Sequence, residues 1–126
     1  MKRIMMLALV VFSCCVIAAE YTKDSAEAIK AKVLMGKIVL VDVREKDEWD
    51  EGHVEGAKFL PLSKLNKGAS KEEIELVFGK DKTIYLHCKS GVRCMKAAEI
   101  LEKQGFKVQA VKLPVTELIS TLGKAK

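Results

Sequence analysis

The chain has 126 residues and a formal net charge of +5. This length allows one domain with a single layered core, and 49% hydrophobic beside 31% charged residues argues against a disordered chain. The lysines are scattered, which favours a solvated surface over nucleic-acid binding, while a mild positive field would help a small anionic substrate to approach.

Residues 1–19 have the organisation of a secretory signal peptide. Lys2 and Arg3 form a charged start, residues 4–17 an apolar stretch, and Ala18-Ala19 a small-residue exit. The apolar stretch is short for a membrane span, so we expect it to be cleaved rather than retained as an anchor.

Cleavage would leave a mature domain of residues 20–126, which we expect in the periplasm. Lipidation of Cys14 is the alternative, since residues 11–14 partly resemble a lipobox, and it would anchor the chain to a membrane. The mature domain keeps two cysteines, Cys88 and Cys94, too few for a disulfide scaffold. It must therefore be held together by its core.

From Asp24 onward, helical and strand-like patterns alternate. Alternation of this kind predicts an α/β fold with a mostly parallel sheet, whose ligands lie at the carboxyl ends of the strands. The first predicted helix has a capping box of Asp24 and Glu27 and ends at Gly36. It is followed by a buried strand over residues 38–43, a short helix over residues 46–51, an extended piece over residues 57–62 and a loop over residues 66–68. A helix capped by Ser70 and Glu73 then ends at Gly79, and after it come a strand leading to Cys88, a helix to Gly105, a strand over residues 106–112 and a helix over residues 115–122.

The stretch over residues 83–94 contains the candidate chemistry. An apolar run ends at Cys88, a short loop returns through Gly91 to Arg93, and a helical pattern follows at once. A strand, a tight loop and a helix N-terminus in this order form an anion site from backbone N–H groups. These groups and Arg93 would favour a thiolate at Cys88, which indicates a cysteine enzyme that handles a small anion.

Three stretches in the same order resemble the rhodanese family. The loop Cys88-Lys89-Ser90-Gly91-Val92-Arg93 resembles the family's active-site pattern C-x-x-G-x-R, and residues 40–45 and 49–62 resemble two further segments. The resemblance implies a rhodanese-like α/β fold with a mostly parallel central sheet of about five strands and helices on both faces.

The resemblance also implies a thiosulfate sulfurtransferase. Cys88 would take sulfane sulfur from thiosulfate or a similar small anionic donor, and a thiophilic acceptor such as cyanide or a thiol would remove it. We expect no cofactor and no metal, because paired ligand spacing is lacking, and a partner protein is possible.

Two alternatives to a sulfurtransferase are open: an enzyme of the same fold with a different reaction, and a protein that is not an enzyme. Phosphatases and arsenate reductases of this fold have one residue more between cysteine and arginine than the four that separate Cys88 from Arg93 here. If this were such an enzyme, Asp42 or Glu45 could be proposed as its acid. The other alternative is a non-catalytic module that carries sulfur or redox equivalents to a partner.

Several roles remain open from the sequence. Arg93 either braces the loop or holds the donor, and Lys89 is either solvated or part of the substrate site. Cys94 stands where the family often has serine or threonine: it is either a conservative replacement or a thiol that attacks the Cys88 persulfide. The resemblance places Asp42 and Arg44 near the core, where we expect them to support the site through a buried ion pair or through hydrogen bonds that brace the loop.

Three further residues have structural interpretations. We interpret Trp49 as a packing anchor, His53 as a histidine that bonds backbone groups, and His87 as a side chain on the sheet face opposite Cys88. Residues 111–117 lack the Gly-Gly-aromatic stretch common in the family, which makes the pocket wall there uncertain.

Overall fold

A computed structural model of the chain describes residues 18–126. Most of the predicted signal peptide, with the alternative of a lipid on Cys14, lies outside these residues. Within them no helix has the length and apolar character needed to cross a bilayer. The helices and strands are, in chain order, α1 (Ala26–Leu34), β1 (Ile38–Asp42), α2 (Lys46–Glu51), β2 (Lys58–Phe59), α3 (Leu62–Asn66), α4 (Lys71–Phe78), β3 (Thr83–His87), α5 (Val92–Lys103), β4 (Lys107–Ala110) and α6 (Val115–Leu122).

The strands form one sheet in the order β2-β1-β3-β4, and all its pairings are parallel. The two central strands, β1 and β3, are largely buried because they are apolar runs with helices over both faces. Their register pairs Asp42 with His87. The carboxyl ends of the two central strands therefore meet at one edge of the sheet, where the loop after β3 begins.

The core has two layers, one on each face of the sheet, because alternate strand residues point to opposite faces. Val41 and Leu86 face the layer that contains α3, α4 and α5, whereas Leu40 and Tyr85 face the layer that contains α1 and α6. The prediction of a parallel α/β sheet with helices on both faces is confirmed.

Over residues 18–126 the sheet has four strands, where about five were predicted. At the outer edge of β4, Tyr21 makes an isolated parallel bridge with Ala110. The N–H of Thr22 donates to the carbonyl of Ala110 at 2.8 Å, and the N–H of Ala110 donates to the carbonyl of Glu20 at 2.9 Å. Chain pairing on this edge therefore stops at a single bridge instead of extending to a fifth strand.

Two local predictions were wrong. Helix α1 is capped by Ser25, whose hydroxyl accepts from the N–H of Ala28, rather than by Asp24. Asp24 instead accepts a hydrogen bond from the hydroxyl of Tyr85 at 2.6 Å and pairs with Lys32. This tertiary pairing removes the Asp24 carboxylate from the helix N-terminus.

The second difference lies in residues 57–68, which were predicted as an extended piece and a loop. The extended pairing is confined to Lys58–Phe59, and Leu62–Asn66 form a helix with Pro61 at its N-cap. Pro61 ends the strand and, with its fixed φ, leads into the first turn of α3. Leu62 and Leu65 are thereby buried in the core layer that also contains α4 and α5.

Candidate active site

The active-site loop runs from Cys88 to Gly91, between the end of β3 and the first residue of α5. Gly91 is the N-cap of α5 and has φ +97°, a left-handed conformation that side chains rarely adopt. A Cβ at this position would also lie 3.2 Å from the Cα of Lys112. Both the turn and the close approach of the neighbouring chain therefore require glycine here.

The Cys88 sulfur lies at the base of this loop among hydrogen-bond donors. The N–H of Gly91 donates to the Cys88 sulfur at 3.0 Å. The Cys94 thiol, and after it the N–H groups of Cys94, Gly91 and Ser90, lower the pKa of Cys88 to about 5, against the opposing effect of burial. Cys88 is consequently a thiolate at neutral pH, at the N-terminal end of a twelve-residue helix whose dipole also favours an anion.

The pH dependence of this thiolate is a direct expectation. Because the pKa of Cys88 is about 5, the thiolate forms as pH rises through that value and is fully formed by neutral pH. Ultraviolet absorbance of the thiolate, measured as the difference between wild type and Cys88→Ser, should therefore rise with a midpoint near pH 5. A midpoint near about 8.5, the value of a free cysteine, would contradict the electrostatic role of the loop.

The Cys94 side chain lies beside Cys88 in the first turn of α5 and is fully buried. Its thiol lies 3.2 Å from the carbonyl oxygen of Gly91 and 3.3 Å from that of Val111. The neighbouring Cys88 sulfur, and burial after it, raise the pKa of Cys94 well above its usual range. The loop thus places a neutral thiol next to a thiolate.

Arg93 links the start of α5 to α2. Its guanidinium binds the Glu48 carboxylate through two hydrogen bonds, with Nη2 at 2.9 Å from Oε2. The Arg93 guanidinium lowers the pKa of Glu48 to about 2, and the carboxylate in turn raises the pKa of Arg93. This contact with Glu48 is the one expected of the bracing role that the sequence left open for Arg93.

Two more contacts hold the loop to the rest of the fold. The Tyr21 hydroxyl donates to the carbonyl of Gly91 at 2.7 Å, and the N–H of Val115 donates to the carbonyl of Lys89 at 3.2 Å. With Val111 and Lys112 against Cys94 and Gly91, residues 111–115 form the wall beside the loop. This wall exists although the Gly-Gly-aromatic stretch is missing.

The remaining loop side chains point outward. Lys89 and Ser90 are exposed, and Val92 is 63% exposed. Ser90 contributes to the sulfur site through its backbone N–H rather than its hydroxyl. Lys89 is available at the surface of the loop, where a positive charge would attract an anionic donor.

Asp42 and Arg44 form a buried pair at the end of β1. The guanidinium of Arg44 binds the Asp42 carboxylate at 2.8–3.1 Å and also donates to the carbonyl of Gly52 at 2.8 Å. Nε2 of His87 is 3.8 Å from Asp42, and burial lowers the pKa of His87, so this histidine is neutral. These residues stabilise the strand ends below the loop, and their hydrogen bonds are made away from the Cys88 sulfur.

The aromatic residues near α2 are structural. His53 stacks on Trp49 with ring centroids 3.5 Å apart, and its Nδ1 is 3.0 Å from the Trp49 carbonyl oxygen. Trp49 also packs against Phe59. Among the described residues, no three His, Cys, Asp or Glu side chains lie close enough to bind a metal ion together.

Three residues of the site were missed from the sequence: Glu48, Tyr21 and Val111. Glu48 is 45 positions from Arg93 and Tyr21 is 70 positions from Gly91, so no local spacing connects them. Glu48 also lies in the first turn of α2, where an acidic residue is explained by the helix dipole alone. A charged partner for Arg93 could be anticipated, but its identity depends on the tertiary fold.

Comparisons with known proteins agree with this architecture. The model of the rhodanese-like domain matches residues 25–113. Over 70 residues, the chain is 39% identical to the probable adenylyltransferase/sulfurtransferase MoeZ of Mycobacterium tuberculosis, which covers 56% of this chain and 17% of that protein. It is 33% identical to the thiosulfate sulfurtransferase GlpE of Coxiella burnetii, over 56% of this chain and 60% of the relative.

Among solved structures, the human single-domain sulfurtransferase TSTD1 superposes with a TM-score of 0.63 at 20% identity, over 73% of this chain and 89% of that one. At this identity the likeness establishes the fold alone. The chain spans 60% or less of the length of the two curated relatives above. The matched model nevertheless extends from the start of α1 to the wall beside the loop. The chain belongs to the rhodanese-like domain family.

Proposed function

We propose that the chain is a sulfurtransferase that carries sulfane sulfur on Cys88. The Cys88 thiolate attacks the outer sulfur of thiosulfate or a similar donor, the sulfur–sulfur bond of the donor breaks, and sulfite leaves with the bonding electron pair. Cys88 is then an anionic persulfide. A thiophilic acceptor, such as cyanide or a thiol, removes the outer sulfur and restores the thiolate, a two-step covalent course.

The observation that supports this proposal is the thiolate held by backbone donors at the start of α5. The Cys94 thiol and, after it, these backbone donors lower the pKa of Cys88 to about 5, which makes the sulfur an anion that can attack at neutral pH. The same N–H groups remain in place to stabilise the charge of the persulfide, so one site serves both steps. No cofactor is needed for either step.

The recessed position of the sulfur favours a small donor. Cys88 is 1% exposed, while Lys89 and Lys112 present positive charges at the surface around the loop. A small anion is attracted by these charges and needs little space, whereas a bulky donor would have to displace the loop. Thiosulfate is both small and negatively charged, as this position of the sulfur requires of a donor. A partner protein that serves as the acceptor would have to present its thiol on a narrow projection.

The proposal is tested by incubating the whole chain with thiosulfate and measuring intact mass. The expected result is uptake of one sulfur atom that is absent from Cys88→Ala, found on wild type either as a mass gain of one sulfur atom or as released sulfide. Added cyanide should remove a retained sulfur as thiocyanate. A wild-type mass that stays unchanged without release of sulfide would contradict the proposal, and an adduct that no small acceptor removes would favour the carrier module instead.

The phosphatase alternative is less well supported by the site. The two residues proposed as its general acid already have other hydrogen-bond partners. Asp42 binds Arg44, and Glu45 accepts hydrogen bonds from the N–H and hydroxyl of Ser63 at 3.2 and 2.7 Å. Arg93, which would bind a phosphate in such an enzyme, is paired with Glu48. Hydrolysis of an aryl phosphate by wild type, lost in Cys88→Ala, would support this alternative.

We also propose that the chain is exported to the periplasm after cleavage following Ala19. The sequence of residues 1–19 supports this proposal, since charged, apolar and small-residue segments follow each other in the order of a signal peptide. N-terminal sequencing of protein from the periplasmic fraction should begin at Glu20. A start at Met1 would contradict cleavage, and a lipid-modified Cys14 at the N-terminus would establish the lipoprotein alternative.

A further inference from the structure

Two buried cysteines face the same glycine at the active-site loop. The N–H of Gly91 donates to the Cys88 sulfur at 3.0 Å, and its carbonyl oxygen is 3.2 Å from the Cys94 sulfur. Both residues are buried, with exposed fractions of 1% for Cys88 and 0% for Cys94. The second thiol therefore lies within the wall of the site in which the persulfide would form.

We infer that Cys94 is a resolving thiol that attacks the Cys88 persulfide, releases hydrosulfide and leaves a disulfide between Cys88 and Cys94. The inference rests on the proposed function, because the persulfide is the group on which Cys94 acts. It adds a second product and a redox step to the transfer of sulfur to an external acceptor.

The step is balanced within the site. A bond forms between the Cys94 sulfur and the inner, Cys88 sulfur, while the bond between the inner and outer sulfurs breaks. The outer sulfur leaves with that bonding pair and with the proton of the Cys94 thiol, as hydrosulfide. The sulfane sulfur is reduced by two electrons and the two cysteine sulfurs are oxidised. Return of the disulfide to two thiols is a separate reaction that requires two electrons from an external dithiol.

The position of the two sulfurs favours this internal attack. A neighbouring thiol reacts as an intramolecular group, with effective concentrations far above those of free thiols in solution. Because Cys88 is nearly inaccessible, an external thiol has little access to the inner sulfur. The inner sulfur is therefore available mainly to Cys94, while external acceptors compete for the outer sulfur.

The Cys94 thiol holds the proton that the departing sulfur takes with it. The Cys88 sulfur and burial raise the pKa of Cys94, so this thiol is protonated in the resting state. The departing sulfur needs that proton, because sulfide without it is a poor leaving group. A disulfide bond of about 2.05 Å requires the two sulfurs to move closer than in the thiol state, through rotation of side chains.

The test loads the whole chain anaerobically with thiosulfate in the absence of any thiol. Wild type should release one equivalent of sulfide per chain and stop, with a final mass lower by two hydrogen atoms. Trypsin cleaves after Lys82, Lys89, Arg93 and Lys96, so the disulfide should join the peptides of residues 83–89 and 94–96. A sample without thiosulfate should keep both thiols.

The matched variant is Cys94→Ser, which keeps a hydrogen-bond donor but cannot form the disulfide. It should retain the added sulfur on Cys88 and release sulfide at least about tenfold more slowly than wild type. If wild type also retains the sulfur without releasing sulfide, the resolving role is wrong and the proposed function stands. If neither protein gains a sulfur, the proposed function fails and the inference fails with it.

Discussion

Replacing Cys88 with serine is expected to reduce thiocyanate formation from thiosulfate and cyanide by at least about a thousandfold, because the covalent intermediate cannot form. A serine hydroxyl has nearly the shape of the thiol and can accept the hydrogen bond that Gly91 donates at 3.0 Å. It cannot become an anion near neutral pH, and it forms no persulfide. The variant therefore removes the reacting atom while the loop keeps its donors.

The measurement is initial rate at saturating thiosulfate, with thermal unfolding recorded to verify that the variant is folded. Leu76→Ser is the control, because it introduces a serine at a side chain of α4 that is 87% exposed and lies outside the site. That control should keep the wild-type rate. Residual activity within about tenfold of wild type in Cys88→Ser would show that another group performs the chemistry.

Features that depend on neighbouring residues were predictable from the sequence. The cap of α4 is an example: the Ser70 hydroxyl accepts from the N–H of Glu73, and Gly79 ends the helix with φ +84°, as the spacing predicted. The cysteine loop was predictable for the same reason. A strand, a glycine and a helix start occur within residues 83–94, and these alone determine which N–H groups surround the sulfur.

Features that depend on distant partners were not predictable. Arg93 could equally hold the donor or brace the loop until the fold placed Glu48, 45 positions earlier, against it. Asp24 was a plausible helix cap, but in the fold the hydroxyl of Tyr85, 61 positions later, donates a hydrogen bond to its carboxylate. Helix α3 was missed because its five residues are too few for a periodic pattern, and Pro61 was interpreted as a strand breaker only.

Removing the carboxylate of Asp42 is expected to lower the free energy of unfolding by about 3–5 kcal/mol, since one partner of a buried ion pair is lost. The Asp42 side chain is fully buried and that of Arg44 is 8% exposed. In Asp42→Ala the guanidinium keeps its bond to the Gly52 carbonyl but loses every contact with a negative charge that Asp42 supplied. The remaining charge stays buried without its hydrogen-bonded carboxylate, and that penalty is larger than the bond energy itself.

The measurement is urea unfolding of wild type and Asp42→Ala at neutral pH. Asp50→Ala is the matched control, because Asp50 pairs with Lys46 at 2.7 Å on the surface of α2, where the two side chains are 56% and 77% exposed. Its loss should change the free energy of unfolding by no more than about 0.5 kcal/mol. A domain of this size typically has about 5–15 kcal/mol of stability, so Asp42→Ala should be marginally folded.

A second variant separates the charge penalty from loss of packing. Changing Arg44 to methionine in the Asp42→Ala background removes the uncompensated charge, and it should restore part of the lost stability despite the loss of the bond to Gly52. The coupling between the two positions follows from the double-mutant cycle. If the double variant is as unstable as the sum of both single variants, Asp42 supports the strand ends by packing and not through its charge. The end of β1 would then position the active-site loop without any contribution from the ion pair.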